Sequence, residues 1–351
     1  MQYPDADFAP PWWLRNAHLQ STLASTVLRR PEVLYRSAAL RAAEVTWLLD
    51  CGAGVRLQCL YSAPPVVRGN PVVLLHGWEG SADSLYILSL AQLLFANGFP
   101  VLRLNLRDHG DTHHLNRDLF HSCLLPEVVG AVAALNARLP GRPLQLIGYS
   151  LGGNFMLRVA AERERARLEL ARVIAVSPVL DPGQTLHALE QGWFAYHHYF
   201  VRKWTRSLLK KQAAWPDQYD FGSLDASGGL RAMTAELVRR FTHYGSLDDY
   251  LSGYALIGAR LAALTVPALI VTALDDPIIP AHALERLARP PQLRLLTTRH
   301  GGHCGFLERP WGPTWVERLI LFELTQTRAD EPTAVPESAP LGAAASGRSG
   351  A

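Results

Sequence analysis

The run Pro143-Leu-Gln-Leu-Ile147 feeding directly into Gly148-Tyr-Ser-Leu-Gly152 constrains this chain more than any other stretch. It reads as a buried strand, a Gly-x-Ser-x-Gly turn and then a helix over Asn154 to Ala161. The five-letter pattern alone occurs by chance; its position between a strand and a helix is the informative part. A serine on so tight a turn projects its hydroxyl out of the sheet edge. Glycines at 148 and 152 are needed because a Cβ at either position would meet the neighbouring strand or helix. The helix N-terminus adds backbone N–H groups and a positive dipole end beside that hydroxyl. Ser150 is therefore a candidate nucleophile.

Its partners follow in an informative order. Val266 to Ala273 reads as a buried strand ending in Asp275-Asp276-Pro277-Ile-Ile-Pro280, and Leu293 to Thr297 as another followed by His300-Gly-Gly-His303-Cys-Gly-Phe306. Nucleophile, acid and histidine, each at a strand end, is the order of the α/β-hydrolase sheet and not of chymotrypsin-like or subtilisin-like chains. Asp276, directly before the Pro-Ile-Ile-Pro reversal, is favoured as the acid, with Asp275 as a turn cap. His303, with glycines on both sides, is favoured over His300, which is expected to bond locally. Upstream, the strand Pro71 to Leu75 runs into His76-Gly-Trp-Glu-Gly-Ser81. The backbone N–H groups of Trp78 and Leu151 are the expected oxyanion donors.

At this point the chain resembles the YheT-like branch of the α/β-hydrolases, related to animal lipases that act on medium-chain phospholipids. The likeness rests on Asn16-Ala-His-Leu-Gln-Ser21, His76-Gly-Trp-Glu-Gly-Ser81, Asn105-Leu-Arg107, Gly148-Tyr-Ser-Leu-Gly-Gly-Asn154, Asp275-Asp-Pro277 and His300-Gly-Gly-His-Cys-Gly-Phe306. It spans roughly residues 10 to 325. Position by position it implies Ser150, Asp276 and His303 as a catalytic triad. Two departures stand out: Asp108-His109-Gly110 replaces a Gly-Cys-Ser-type turn, and Ser21 stands where threonine is usual.

The organisation expected is an α/β fold with a mostly parallel central sheet flanked by helices. Residues 1–40 form an N-terminal extension packed on the core, and residues 41–327 the hydrolase domain. After the strands Val45–Leu49 and Val55–Leu60, strands and helices alternate up to Val173–Val176. Residues 182 to about 264 contain no convincing strand and read as a helical lid inserted before the acid-bearing strand. Trp311 to Thr325 reads as the closing helix. From Arg328 onward Pro, Ala, Gly and Ser dominate, and a tail of that composition is expected to be disordered. A hydrophobic fraction of 48% suffices for a buried parallel sheet, and a net charge of +3 argues against a nucleic-acid binder. The N-terminus lacks the pattern of a signal peptide, no stretch reads as a membrane span, and the four cysteines show no C-x-x-C pairing. A cytoplasmic protein is expected, with Cys304 a small buried filler.

Within the insertion, Trp193, Tyr196, Phe200, Trp204 and Leu208 recur at helical spacing, with Arg202, Lys203, Arg206, Lys210 and Lys211 interspersed. The aromatic stripe is expected to line an acyl pocket, and the basic residues to form either a solvated face or a peripheral contact with anionic lipid. Asp108 to His114 invites comparison with metal sites, but a polar loop near the sheet edge is the simpler reading. No metal or cofactor is expected. No chemical partner for His18 or Gln20 can be derived, so packing against the core is the default. The chemistry expected is hydrolysis of short- to medium-chain or lipid-like carboxylic esters through an acyl-enzyme. An acyltransferase or thioesterase on the same triad is the alternative, and a non-catalytic lipid-binding protein the reading from another class.

Overall fold

The computed structural model describes residues 8–222 and 228–330, with side chains as far as 326. Three short helices, α1 (Ala17–Leu23), α2 (Arg30–Arg36) and α3 (Ala38–Ala42), lead into strands β1 (Glu44–Asp50) and β2 (Arg56–Ser62). Alternation then begins with β3 (Val72–Leu75), α4 (Leu85–Ala96), β4 (Val101–Leu104), α5 (Leu125–Arg138), β5 (Leu144–Tyr149), α6 (Leu151–Ala161), the single turn α7 (Arg163–Ala166) and β6 (Leu170–Val176). Four helices follow: α8 (Pro182–Gln191), α9 (Phe194–Ala214), α10 (Gly229–Phe241) and α11 (Leu247–Gly253). The chain returns to the sheet with β7 (Ala268–Ala273) and β8 (Leu293–Thr298) and closes with α12 (Trp315–Asp330).

The strands form one sheet in the order β1-β2-β4-β3-β5-β6-β7-β8. β1 and β2 run antiparallel to their neighbours, while the pairs from β4 to β8 are parallel. Every residue of β3, β4, β5 and β7 is buried. These strands are mostly apolar because both of their faces are covered, with Arg103 of β4 and Gln145 of β5 as buried polar exceptions. The α/β architecture and its strand positions are as the sequence predicts.

Two helices start elsewhere than expected. The helix after the elbow starts at Leu151 rather than Asn154, since Ser150 itself is its N-cap. The closing helix starts at Trp315 rather than Trp311. There the Thr314 hydroxyl accepts from the Glu317 N–H and the Glu317 carboxylate accepts from the Thr314 N–H, a reciprocal cap that sets the first turn. The tail expected from residue 328 lies, beyond Asp330, outside the described residues, as does Met1–Asp7.

The sheet divides the apolar interior in two. On one side, Ile87, Leu90 and Leu94 of α4 and Val316 and Ile320 of α12 pack with Phe8, Val33 and Leu40 from the N-terminal segment. On the other, Val132 of α5 and Phe155 of α6 are continuous with Leu186, Tyr196, Val238 and Tyr250 of the inserted helices. The insertion is thus joined to the core and does not hang from it. No helix among the described residues is long and apolar enough to cross a membrane.

Candidate active site

Parallel register brings the carboxyl ends of β3, β5, β7 and β8 to one edge, and the loops leaving them carry the predicted residues. Ser150 leaves β5 with φ 53° and ψ −119°, a conformation a side chain adopts only where the surroundings enforce it. They do. A Cβ on Gly148 would stand 2.3 Å from the Gly152 carbonyl, and one on Gly152 would stand 2.4 Å from the carbonyls of Leu75 and His76. Only glycine at both positions lets α6 start against β3 and β5 with the serine exposed between them.

Ser150 Oγ lies 3.0 Å from His303 Nε2, and His303 Nδ1 lies 2.9 Å from Asp276 Oδ2. A carboxylate only accepts, so Nδ1 carries the proton and the Nε2 lone pair faces the serine. The second oxygen of Asp276 accepts the N–H groups of Ile278 at 2.8 Å and Ile279 at 2.9 Å. Burial penalises the charged form of the His303 ring. The adjacent Asp276 carboxylate, together with Cys304, outweighs that penalty and raises the ring's pKa well above its ordinary value.

The two aspartates divide the work differently from the sequence expectation. Asp276 itself caps the turn, through Ile278 and Ile279, while also meeting the histidine. Asp275 does not cap it: its Oδ1 accepts the Gly302 N–H at 2.9 Å, and its other oxygen faces His300 Nδ1 at 3.5 Å. Asp275 therefore steadies the histidine loop. Cys304 is half-buried: it packs against the core cluster beneath the loop and also borders the cavity.

The His76–Ser81 loop lies against the elbow, with Gly77 so close that a Cβ there would stand 3.2 Å from that of Ser150. Its backbone is pinned from several directions. His76 Nδ1 donates to the Gly77 carbonyl at 2.8 Å, and its Nε2 accepts from the Leu106 N–H. Burial pushes the His76 pKa down to about 4, so the ring is neutral, as those two bonds require. The Gly77 N–H donates to the Tyr86 hydroxyl and the Glu79 N–H to His109 Nε2. The N–H groups of Trp78 and Leu151 find no acceptor among the described residues. Glu79 borders the cavity, and burial, which outweighs the influence of Lys203, pushes its carboxyl up to about 7.

A cavity of about 1200 Å³ opens above Ser150 and His303. Trp193, Tyr196, Phe200 and Trp204 all border it, as their helical spacing predicts. Leu208 does not; it packs with Leu119, Tyr219, Phe221 and Met233 in a separate cluster. The stripe also does more than line a wall. The Phe200 ring stacks on Trp78 with centroids 5.2 Å apart and planes at 9°, and Trp204 meets the same indole edge-on at 5.1 Å.

The basic residues of α9 do not form one outward face. Lys203 donates to the Glu79 carbonyl at 2.7 Å and Lys210 pairs with Asp111. Lys211 is buried against Asp108 at 2.8 Å and donates to the carbonyls of Asn116 and Asp118. Only Arg202 and Arg206 remain exposed without a partner among the described residues. The Asp108–His114 loop is the other half of this bracket. Asp108 also accepts the Phe120 N–H, His109 holds the Glu79 N–H, and His113 Nε2 lies 3.0 Å from Ser207 Oγ. Among the described residues no group of three His, Cys, Asp or Glu side chains is arranged to hold a metal ion.

The N-terminal signature has partners that sequence reasoning missed: Ser21 and Gln20 bond to the histidine loop, and His18 bonds to Tyr196. The only signal was the motif itself, because the partners lie between 178 and 287 positions away.

Residues 70–310 match the family model of the α/β-hydrolase fold. Phospholipase ABHD3 of Mus musculus is 23% identical over 324 residues, covering 89% of this chain and 77% of that protein. YheT of Escherichia coli (strain K12), whose name proposes an esterase, is 26% identical over 309 residues, covering 86% of this chain and 87% of that one. Among solved structures, a bacterial membrane phospholipase A matches with a TM-score of 0.53 at 16% identity, over 86% of this chain and 93% of the other.

Proposed function

The chain belongs to the α/β-hydrolase family, and on that premise we propose that it is a serine hydrolase cleaving carboxylic esters, with Ser150, His303 and Asp276 as its triad. The observation that carries this reading is the unbroken pair of contacts from Ser150 Oγ to His303 and from His303 to Asp276, at the floor of a cavity. As Ser150 Oγ bonds to the ester carbonyl carbon, its proton passes to His303 Nε2. The carbonyl oxygen becomes an oxyanion held by the free N–H groups of Trp78 and Leu151. His303 then returns the proton to the departing alkoxide, leaving an acyl-serine and an alcohol. Water repeats the sequence, its proton passing to His303 as its oxygen attacks, and the carboxylic acid leaves with Ser150 restored. Asp276 stabilises the imidazolium formed in each half.

The size of the cavity supports a substrate class. About 1200 Å³ exceeds the roughly 300–1,000 Å³ of most ligand sites. That volume takes an acyl chain together with a sizeable leaving group, so short- to medium-chain and lipid-like esters fit. Helices α8 to α11 serve as the lid of a single hydrolase domain, and residues 8–40 pack against it. Phospholipase and esterase names among the relatives support the ester chemistry. Docking on anionic lipid through the basic side of α9 is not part of this reading, since Lys203, Lys210 and Lys211 are each already engaged by Glu79, Asp111 and Asp108. Four free cysteines, two with thiols pushed up to about 12 by burial, suit a reducing cytoplasm.

A fluorophosphonate probe tests the core of the proposal. It is expected to label the wild-type protein once and Ser150→Ala not at all, with p-nitrophenyl ester turnover lost in parallel. Full turnover by Ser150→Ala would rule the mechanism out.

A further inference from the structure

The segment Asn16 to Ser21 takes no part in the chemistry above, yet α1 touches both the histidine loop and the helix that roofs the cavity. On the first side, the Ser21 hydroxyl accepts the His303 backbone N–H at 2.8 Å while donating to the Ala17 carbonyl at 2.7 Å. Gln20 is fully buried. Its amide donates to the carbonyls of Leu14 at 2.7 Å and Leu307 at 2.9 Å and accepts the Leu307 N–H at 2.7 Å. The loop presses on α1 so closely that a Cβ on Gly302 would stand 2.3 Å from the Ala17 carbonyl, and one on Gly305 2.6 Å from that of Gln20. On the second side, His18 Nδ1 lies 3.1 Å from the Tyr196 hydroxyl, and the His18 ring is 5.1 Å from that of Trp193. His18 and Ser21 are three residues apart, so one turn of helix presents both.

The loop needs such an anchor. Gly301, Gly302, Cys304 and Phe306 all have positive φ, two of them with side chains. Backbone of that kind persists only where its surroundings over-determine it. Asp275 holds one N–H of the loop, at Gly302, and α1 holds the next, at His303 itself.

We propose that α1 is a positioning element of the hydrolase site, in which Ser21 sets His303 against Ser150 and Asp276, and His18 ties the same helix to Tyr196 of the lid. This rests on His303 being the base. It adds a coupling that the triad alone does not contain: displacing α9 at Tyr196 shifts α1, and through Ser21 it shifts the histidine.

The test uses Ser21→Ala, Ser21→Thr, Tyr196→Phe and the double variant Ser21→Ala/Tyr196→Phe in the full chain. Turnover of p-nitrophenyl acetate is expressed per fluorophosphonate-labelled site, so that loss of folded protein does not count. A misplacement of about 1 Å costs on the order of 100-fold, and partial loosening less. Ser21→Ala is expected to lower kcat per site by at least about tenfold with KM nearly unchanged. It should also move the acid limb of the pH profile to lower pH, because a drifting His303 loses its hold on Asp276. Ser21→Thr, which restores the hydroxyl, should return kcat to within about threefold of wild type. Tyr196→Phe should lower kcat by itself but cost little more once Ser21 is alanine, since coupled sites are not additive. An unchanged kcat per site and an unchanged limb in Ser21→Ala would overturn the positioning role, and strict additivity would overturn the coupling to the lid. Turnover that survives Ser150→Ala would instead mark the failure of the serine-hydrolase reading.

Discussion

At the scale of single residues, the paired aspartates show how one motif serves two ends. Asp276 meets His303 with one oxygen and caps its own turn with the other, while Asp275 reaches the Gly302 N–H. The consequences for substitution differ. Asp276→Asn keeps the shape but loses the charge and the tautomer control, and kcat should fall by roughly 10⁴. Asp275→Asn keeps an acceptor for Gly302 and should cost less than about tenfold, a contrast that kcat measurements on the two variants would settle. The pH profile supplies a second check. In the proposed mechanism His303 must be neutral to take the serine proton, and Asp276 helps hold its pKa above the ordinary 6.5, so kcat/KM should rise with pH along a limb lying above 6.5. In Asp276→Asn the carboxylate's support is gone and burial, the largest single influence on the ring, disfavours its charged form, so the limb of the residual activity should move to lower pH. A limb that stays in place in that variant would mean the aspartate does not set the base. Asp276 was legible in the sequence because its turn is local. The partner of Asp275 was not, because no local pattern marks the Gly302 N–H as the group it meets.

At the scale of elements, α9 joins the roof of the cavity to the Trp78 loop, the proposed holder of the oxyanion. Helical spacing alone identifies Trp193, Tyr196, Phe200 and Trp204 as one face, but not that Phe200 and Trp204 pack on Trp78. Each buried methylene contributes about 0.8 kcal/mol, so kcat/KM for p-nitrophenyl esters should rise about three- to fourfold per CH₂ until the acyl space is filled. Phe200→Ala and Trp204→Ala should flatten that slope. Because they also unseat Trp78, they should lower turnover of the acetyl ester, an effect absent from a stripe that merely lines a wall. Equal slopes in all three proteins from acetyl to dodecanoyl would remove α9 from acyl selection. The other end of α9 is held by Lys211 and Asp108, both buried. Lys211→Met leaves a buried carboxylate unpaired and should cost roughly 3–5 kcal/mol in urea unfolding. Adding Asp108→Asn should recover much of that loss, since the uncompensated charge is then gone. If Lys211→Met is neutral, the bracket is not structural.

At the scale of the whole molecule, the N-terminal segment completes the layer over one face of the sheet. Leu40 and Val33 are 1% exposed and share a cluster with α4 and α12, and the Ser62 hydroxyl donates to the Leu40 carbonyl. Leu40→Ala should therefore destabilise the protein by about 2–5 kcal/mol, as truncation of a filled core position does. Denaturant unfolding would show this as a lower midpoint with an unchanged slope, and a shift below about 0.5 kcal/mol would mean the segment is an appendage.

The sheet, the edge that gathers Ser150, Asp276 and His303, and the residues at the strand ends were readable from the chain alone. Apolar runs, glycine spacing and proline turns act over a few positions and need no distant partner to be read. What α1 holds, which partners the lysines of α9 meet, and the stacking of α9 on Trp78 emerged only with the tertiary structure. Each of those rests on contacts between residues roughly 100 to 290 positions apart. No local pattern encodes such a contact, because a helix displays the same spacing whichever neighbour its face meets.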